Sequence, residues 1–304
     1  MPERSRTLLA FAALLVFGCA WGATQPLTKV AVSTGYQPFG LIFWQFFYAV
    51  VLLGAVIAAK RIAVPIDRRH LVFYTGIALI GTVLPNSFGY LAAARLPAGI
   101  MAVVITTVPM FSLIIALLLG NERFRLSRSL GIVLGVSAML LIALPEASLP
   151  AAGLAIWVFV ALIAPFCYGI EGNYVAMQAP RRLNPLAALW GASVIGLVFI
   201  TPLTVVSGQW IDLFKPWQAP EWAMLGTAIA HLVAYTGYIW LVGFAGVVFT
   251  AQISYVVTLA GITNSIVFLG ESYSPWVWLA VALMLVGLSL VQPAGKLPDA
   301  GEAA

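Results

Sequence analysis

Apolar residues are arranged along this chain in long, nearly uncharged runs that are separated by short polar connections. A helix rises ~1.5 Å per residue and the hydrocarbon core of a bilayer is ~30 Å thick, so about 20 apolar residues cross it. Runs near this length lie at 7–28, 38–59, 70–93, 97–119, 127–144, 153–178, 185–207, 221–243, 246–269 and 275–292. The pattern predicts an all-α membrane protein with ten transmembrane helices.

Part of this pattern occurs twice. The segment Leu117–Phe124 precedes an apolar run to Leu144, and the similar segment Val267–Tyr273 precedes a run to Val291. Two further pairs keep nearly the same spacing: Gly89-Tyr90 with Gly237-Tyr238, and Ala98-Gly99 with Ala245-Gly246. Similarities that recur in the same order indicate a tandem duplication.

The duplication divides the chain into two repeats of five spans each. We expect a cytoplasmic N-terminus (1–6), a first repeat (7–144), an external linker (145–152), a second repeat (153–292) and a cytoplasmic tail (293–304). Because five is odd, the second repeat enters the membrane in the opposite direction to the first. Inverted repeats around a site near the midplane are typical of secondary transporters.

Composition excludes a soluble domain, because apolar residues make up 62% of the chain and charged residues only 8%. The first run is interpreted as a retained helix and not as a signal peptide, since no soluble mature domain follows it. Cys19 and Cys167 each fall inside a span, where a thiol usually packs as a small apolar group. We predict no disulfide framework, no metal site and no cofactor.

Basic residues set the predicted orientation, because Lys and Arg near span ends favour the cytoplasm. With both termini inside, the cytoplasmic residues are Arg4, Arg6, Lys60, Arg61, Arg68, Arg69, Arg123, Arg125, Arg128, Arg181, Arg182 and Lys296. Only Lys29, Arg95 and Lys215 of the 15 basic residues remain outside. The distribution favours a bacterial-type cytoplasmic (inner) membrane, and the net charge of +5 gives no support to nucleic-acid binding.

The first span carries a family resemblance. Trp21-Gly22-Ala23-Thr24-Gln25-Pro26-Leu27-Thr28-Lys29 resembles the Trp-Gly-x-x-x-Pro-x-x-Lys opening of the EamA family in the drug/metabolite transporter superfamily. The rest of the first repeat is similar at Leu96–Gly99, Val108-Pro109 and Gly120–Arg123, and the second repeat at Gly270-Glu271. The resemblance covers about 7–292 and implies two EamA-like repeats that export amino acids, related metabolites or drugs.

Two positions depart from the family pattern. The family often has Arg in the second helix shortly after its leading proline, whereas this chain has Gln45 after Pro38. The second repeat has Thr258 where a proline like Pro109 is expected. A fixed cation in the second helix is therefore not expected here.

Glu171 is the carboxylate that lies deepest within a predicted span. Tyr168, Tyr174 and Gln178 share its helical face, and Pro165 precedes them as a possible kink. Because burying a charge in a membrane is costly, such residues often carry function. Glu171 is either a proton carrier or the counter-charge of an amine, or else a packing carboxylate that is hydrogen-bonded to a tyrosine.

Other polar and aromatic residues recur at helical spacing and complete the set of candidates. His231 shares a face with Tyr235 and Tyr238, and a titrating imidazole competes there with simple packing. The candidate substrate-binding residues are Trp44, Gln45, Asn86, Tyr90, Tyr168, Glu171, Tyr174, His231, Tyr235, Tyr238, Gln252 and Tyr255. Aromatic walls with hydrogen-bonding tips suit a planar, amphipathic or cationic solute.

Several charged residues near span ends have structural interpretations. For Glu122 and Glu271 we favour a structural or hinge role, with Arg123 or Arg125 as the partner of Glu122. Prolines inside spans, among them Pro26, Pro85, Pro109 and Pro202, allow local breaks. Lys29 and Arg95 either guide anions or extend their charges to the membrane surface.

The predicted function is a secondary-active exporter of a small amphipathic metabolite, such as an amino acid, an amine or a drug-like compound, that works by alternating access. Proton coupling through Glu171 is a hypothesis. Its partners are the solute, the lipid bilayer and protons, and it is a monomer or a homodimer. A lipid-carrier flippase and an importer or facilitator remain alternatives. With only His70 and His231 and no nucleophile motif, an enzyme is not expected, nor is a channel or direct use of ATP.

Overall fold

The computed structural model describes residues 3–144, 148–149, 151 and 153–291, so the predicted tail and most of the predicted linker lie outside the described residues. It contains ten apolar helices: α1 (Ser5–Ala31), α2 (Pro38–Lys60), α3 (Arg68–Arg95), α4 (Ala98–Leu118), α5 (Leu126–Ala143), α6 (Ala155–Gln178), α7 (Pro185–Val206), α8 (Ala219–Ala245), α9 (Ile253–Leu269) and α10 (Pro275–Val291). The first 8 are long and apolar enough to cross a membrane. α9 and α10 have 17 residues each, and a short helix, Val247–Thr250, precedes α9.

Prolines divide two of the first-half helices into separate α-helical segments. The span α1 lies within two helical segments, Glu3–Gly22 and Thr24–Ala31, and α4 consists of Ala98–Ile105 and Val108–Leu118. Pro26 has no N–H for the carbonyl of Gly22, and Pro109 has none for the carbonyl of Ile105, so the regular hydrogen bonding fails at both places. By contrast, α6 and α7 run without a break through Pro165 and Pro202.

α3 contains a rarer interruption. Its segments Arg68–Ala78 and Leu84–Arg95 are joined by a π-helical turn, Leu79–Val83. Pro85 cannot donate to the carbonyl of Gly81, which explains why the wider turn forms at this point. Such π turns occur frequently at functional sites.

The helix packing repeats itself between the two halves. α1 packs against α8 and α9, and its counterpart α6 packs against α3 and α4. α2 pairs with α7, and α5 pairs with α10. This arrangement is the one expected of two five-helix repeats with inverted topology, and it confirms the predicted fold class.

Glycine contacts show the same equivalence at atomic detail. A Cβ added to Gly22 in α1 would lie 2.8 Å from the Gly261 nitrogen in α9. A Cβ added to Gly169 in α6 would lie 2.9 Å from the Ser112 nitrogen in α4. Gly22 and Gly169 therefore hold equivalent positions, and each allows two backbones to approach closely.

The charged residues near span ends have local partners. Glu122 pairs with Arg128 at 3.1 Å and not with Arg123 or Arg125, because Arg128 lies in the first turn of α5 and faces back toward the loop. Lys29 Nζ donates to the carbonyls of Ala93 and Leu96, at 2.8 Å each, and so caps the end of α3. The Arg95 guanidinium lies 5.3 Å from the centre of the Trp157 ring, a cation–π distance.

Candidate functional site

A cavity lies in the middle of the bundle, where the two halves meet. It has about 70 Å³ available to the centres of water-sized molecules, which is room for several waters. Its lining comes from α1, α3, α4, α6 and α8, and consists of Thr24, Gln25, Thr28, Pro85, Asn86, Gly89, Tyr90, Met101, Val104, Ile105, Ala161, Ala164, Tyr168 and His231. Both repeats therefore contribute to one concave site.

A second, smaller cavity adjoins the first. The two share Thr28 and Tyr90, and the smaller one extends toward α2 at Gln45 and toward α8 at Thr227. It has about 10 Å³ available to water-sized molecules, so it holds one water at most. Together the cavities reach six helices.

A hydrogen-bond network fixes the polar wall of these cavities. Gln45 Oε1 accepts from Asn86 Nδ2 at 2.7 Å and from the Tyr90 hydroxyl at 2.9 Å. The Tyr168 hydroxyl, on the second repeat, donates to Asn86 Oδ1 at 3.0 Å. The network joins α2, α3 and α6, and it depends on an acceptor at position 45. An arginine there, as the family resemblance led us to consider, has no acceptor to offer.

Glu171 lies one helical turn beyond Tyr168, against the π turn of α3. A Cβ on Gly81 would overlap the Glu171 carboxylate, so glycine is what allows this close approach. Within the described part of the chain, the carboxylate makes no hydrogen bond and no ion pair. The hydroxyls of Tyr168 and Tyr235 lie within its electrostatic range. No tyrosine among the described residues donates a hydrogen bond to the Glu171 carboxylate.

His231 contributes a second polar side chain to the wall of the larger cavity. Its ring lines the larger cavity from α8, and its Nδ1 is buried. The carbonyl of Thr227 lies nearby, one turn earlier, but no hydrogen bond of normal geometry reaches Nδ1 from any described residue. A buried ring nitrogen without a partner is unusual in a folded protein.

The sequence is similar to a known protein family over nearly its whole length. The pattern of the EamA-like transporter family matches residues 8–144 and, a second time, residues 155–292. The chain belongs to the EamA-like transporter family. Membership makes it an integral membrane protein that transports small molecules, and it confirms the resemblance found in the first span.

Two further comparisons were informative about the fold of this EamA-like transporter at most. No curated protein sequence matches it significantly. A protein of known crystal structure is similar over 95% of this chain and 97% of its own, with a TM-score of 0.62 and 17% sequence identity. At that identity the likeness concerns the fold alone.

The structure brings seven of the predicted site residues of the transporter together. Gln45, Asn86, Tyr90, Tyr168 and His231 line the two cavities. Glu171 lies one helical turn beyond Tyr168, and the Tyr235 hydroxyl lies within electrostatic range of the Glu171 carboxylate. These seven residues are the candidate site that we use below.

The remaining predicted residues lie elsewhere. The Tyr174 hydroxyl donates to the carbonyl of Val72 at 3.3 Å, and its ring stacks on Phe73. Tyr238 packs edge-on against Trp21, and Trp44 donates to the carbonyl of Ile211 at 3.0 Å in an aromatic cluster near one end of the bundle. Neither cavity includes Gln252 or Tyr255, which are half-buried around the start of α9.

Sequence reasoning missed Thr24, Gln25 and Thr28, which form the α1 wall of the cavity. All three belong to the motif Trp21–Lys29, in which the sequence showed a family resemblance but no separate sign of a binding site. The spacing of Thr24 and Thr28, four residues apart, already places both on one helical face. Gln25 adds an amide that makes no hydrogen bond within the described residues.

Among the residues that the structure describes, no group of three His, Cys, Asp or Glu side chains could hold a metal ion. Cys167 is buried in α6 and Cys19 is exposed on α1, so these two thiols are not paired. The chemistry available in the cavity is hydrogen bonding, aromatic contact and the nearby carboxylate.

Proposed function

We propose that this transporter exports a small amphipathic metabolite, such as an amino acid, an amine or a drug-like compound, by alternating access between its two repeats. The observation that carries the proposal is the central cavity, which both repeats line with aromatic rings and neutral hydrogen-bonding groups. Sites for small molecules are typically concave and largely apolar, with a few converging polar groups. In inverted-repeat transporters such a site lies between the halves, where a movement of one against the other exposes it to either side.

The chemistry of the lining favours a neutral or cationic solute. Amide, hydroxyl and imidazole groups face the larger cavity, and its lining includes no lysine or arginine to attract an anion. Tyr90 and Tyr168 offer ring faces that bind apolar groups or an ammonium. Glu171, one turn away, offers a negative charge to an amine.

The environment of Glu171 supports proton coupling. A carboxylate in a membrane span without a hydrogen bond is costly when ionised, and it becomes favourable when it gains a proton or a cation. Protonation from one side and binding of an amine from the other would exclude each other at a single carboxylate. Glu171 would thereby link outward movement of the solute to inward movement of a proton.

The proposed orientation places both termini in the cytoplasm of a bacterial-type inner membrane. It rests on the asymmetry of the basic residues, since the predicted topology assigns twelve of the 15 to the side of the membrane that includes the N-terminus. In this orientation Lys29 and Arg95 lie at the external end. Their structural partners, the end of α3 and the Trp157 ring, account for their presence there.

Efflux from proteoliposomes tests the proposal. Vesicles loaded with a mixture of labelled amino acids and primary amines would be followed with and without a pH gradient, for wild type, Glu171→Gln and Glu122→Gln. Glu122 is the matched control, because its carboxylate is surface-exposed and paired with Arg128. We expect the gradient to accelerate efflux of at least one solute class in wild type and Glu122→Gln, and this response to disappear in Glu171→Gln.

Two results would contradict the proposal in different ways. A Glu171→Gln variant that keeps the full response to the gradient would remove Glu171 from coupling and leave a facilitator. Wild-type vesicles that move none of the solutes, but do exchange a labelled polyprenyl-phosphate lipid between leaflets, would establish the flippase alternative instead.

A further inference from the structure

The two halves of this transporter differ at one pair of equivalent helix contacts. In α3, Gly89 faces Ala164 of α6, and a Cβ added to Gly89 would lie 4.0 Å from the Ala164 Cβ. In α8, Gly237 faces Phe17 of α1, and a Cβ added to Gly237 would overlap the Phe17 ring. One contact therefore leaves open space, whereas the other is filled by an aromatic ring.

These two contacts correspond under the internal repeat. Gly89 and Gly237 belong to the recurring Gly-Tyr pair. Ala164 and Phe17 each lie five residues before the glycines, Gly169 and Gly22, whose equivalence was shown above. The cavity thus occupies the space that Phe17 fills in the other half, and it is present on the α3–α6 side because position 164 is alanine.

Polarity differs between the halves in the same way. Asn86 precedes Gly89 by three residues, and the residue at that place before Gly237 is Ala234, which is 1% exposed. Gln45 is the eighth residue of α2, and the eighth residue of α7 is Ala192, which is 2% exposed. The α3–α6 side thus has hydrogen-bonding groups where the α1–α8 side has buried alanines.

The α1–α8 contact, which the Phe17 ring fills, shows how this fold packs where no ligand is needed. Close apolar packing is the ordinary state of a protein interior, while open space forfeits contacts and buried polar groups require partners. On the α3–α6 side the same backbone carries a cavity, a polar network and the unpartnered Nδ1 of His231. An arrangement of this kind is stabilised when a solute occupies the cavity.

We propose that Ala164 determines the size of the solute that this transporter accepts, and that the solute binds asymmetrically at the α3–α6 interface. The inference rests on the proposed function, since it takes the central cavity to be the transport site. The cavity occupies the space that the Phe17 side chain fills in the other half. The part of the solute that enters this space is therefore apolar and no larger than about one aromatic ring. It is attached to neutral or cationic hydrogen-bonding groups that reach Asn86 and His231.

A size series at position 164 tests this assignment. Ala164→Gly, Ala164→Leu and Ala164→Phe would be compared with wild type in the efflux assay. The probes are glycine, alanine, leucine, phenylalanine and tryptophan with the matching primary amines, all in competition. Phe17→Ala is the matched control, because it opens the equivalent contact in the other half.

We expect the larger residues to change the size preference and not only the overall rate. A lost fit of one or more methylene groups in an apolar site typically changes discrimination by about 10-fold or more. Ala164→Leu and Ala164→Phe should therefore lower the efflux of the largest accepted solute, relative to the smallest, by at least about 10-fold, and Ala164→Gly should leave or raise it. Phe17→Ala should leave this ratio unchanged. Gel filtration establishes whether each variant is folded. If Ala164→Phe is not folded, the comparison of Ala164→Leu with wild type is the test.

Each negative result would overturn a different part of these proposals. Wild type that transports some of the probes, together with an unchanged size ratio in the folded Ala164→Leu variant, would overturn the role of Ala164 and leave the proposed function intact. A Phe17→Ala variant that shifts the ratio as strongly as the position 164 series would overturn the asymmetric site. Wild type that transports no probe would overturn the proposed function and this inference with it.

Discussion

Gln45 shows how one side chain can organise a polar wall inside an apolar bundle. Its Oε1 is the common acceptor for Asn86 and Tyr90, and Asn86 in turn accepts from Tyr168. Each of these half-buried donors would otherwise lack a protein acceptor, which is costly in a low-dielectric interior. A single acceptor at position 45 thus holds α2, α3 and α6 in their relative positions around the cavity.

Replacing this acceptor should destabilise the transporter. Gln45→Arg leaves Asn86 Nδ2 and the Tyr90 hydroxyl without an acceptor, and we expect it to lower the free energy of unfolding by about 1–3 kcal/mol. Gln45→Glu keeps the acceptor oxygens and serves as the control. Thermal unfolding in detergent measures the difference, and an Arg variant as stable as the Glu variant would show that the network adds nothing to stability.

The sequence pattern predicted individual candidate residues but not the contacts between them. Asn86 and Tyr90 share a helical face, and so do Tyr168 and Glu171, which makes each pair visible in the sequence. The contact between Tyr168 and Asn86 joins residues 82 positions apart, and it depends on how α6 packs on α3. Likewise, the free Nδ1 of His231 becomes apparent only when its neighbours are known.

At the scale of elements, the interruptions of the helices position the site. Pro26 breaks α1 next to Thr24 and Thr28, and Pro85 produces the π turn that meets Glu171. The spans themselves were predicted closely, for example 38–59 against Pro38–Lys60 and 185–207 against Pro185–Val206. Length and hydropathy determine where a span lies, whereas the choice between a break at Pro26 and a continuous helix at Pro165 depends on neighbouring helices.

The π turn should be necessary for the function of Glu171. Gly81→Ala would place a methyl group where the carboxylate lies, so we expect it to displace Glu171 and abolish the response of efflux to the pH gradient. Gly172→Ala is the control, because a Cβ there would meet only Ser112 Oγ, at an ordinary 3.8 Å. Gradient-driven efflux measures both variants, and a fully coupled Gly81→Ala variant would contradict this role of the turn.

At the scale of the whole molecule, hydrogen bonds between the halves close the end opposite the N-terminus. Glu271 accepts from the backbone nitrogens of Ala98 and Gly99, at 2.8 and 3.1 Å, and so caps α4 of the other half. The Tyr36 hydroxyl donates to Glu221, and burial together with this bond raises the pKa of Tyr36 to about 12, so it remains a donor at neutral pH. In the alternating access that we propose, these contacts would have to open.

Weakening this closure should favour opening at that end. Glu271→Ala removes both bonds to the start of α4, and we expect a thiol-reactive probe added at that end to label a cysteine in the cavity several-fold faster. Glu122→Ala is the control, since Glu122 pairs with Arg128 of its own half and does not join the repeats. Equal labelling rates in the two variants would show that Glu271 does not hold the halves together.

The account as a whole rests on a central cavity that opens to each side of the membrane in turn. The most direct test is labelling of Thr28→Cys, in a background with Cys19→Ala and Cys167→Ala, by a membrane-impermeant maleimide in right-side-out and inside-out vesicles. Thr28 lines both cavities, so its cysteine reports access to the site itself. We predict labelling from both sides, slowed by a transported solute, whereas labelling from one side only, whatever the solute or gradient, would contradict alternating access.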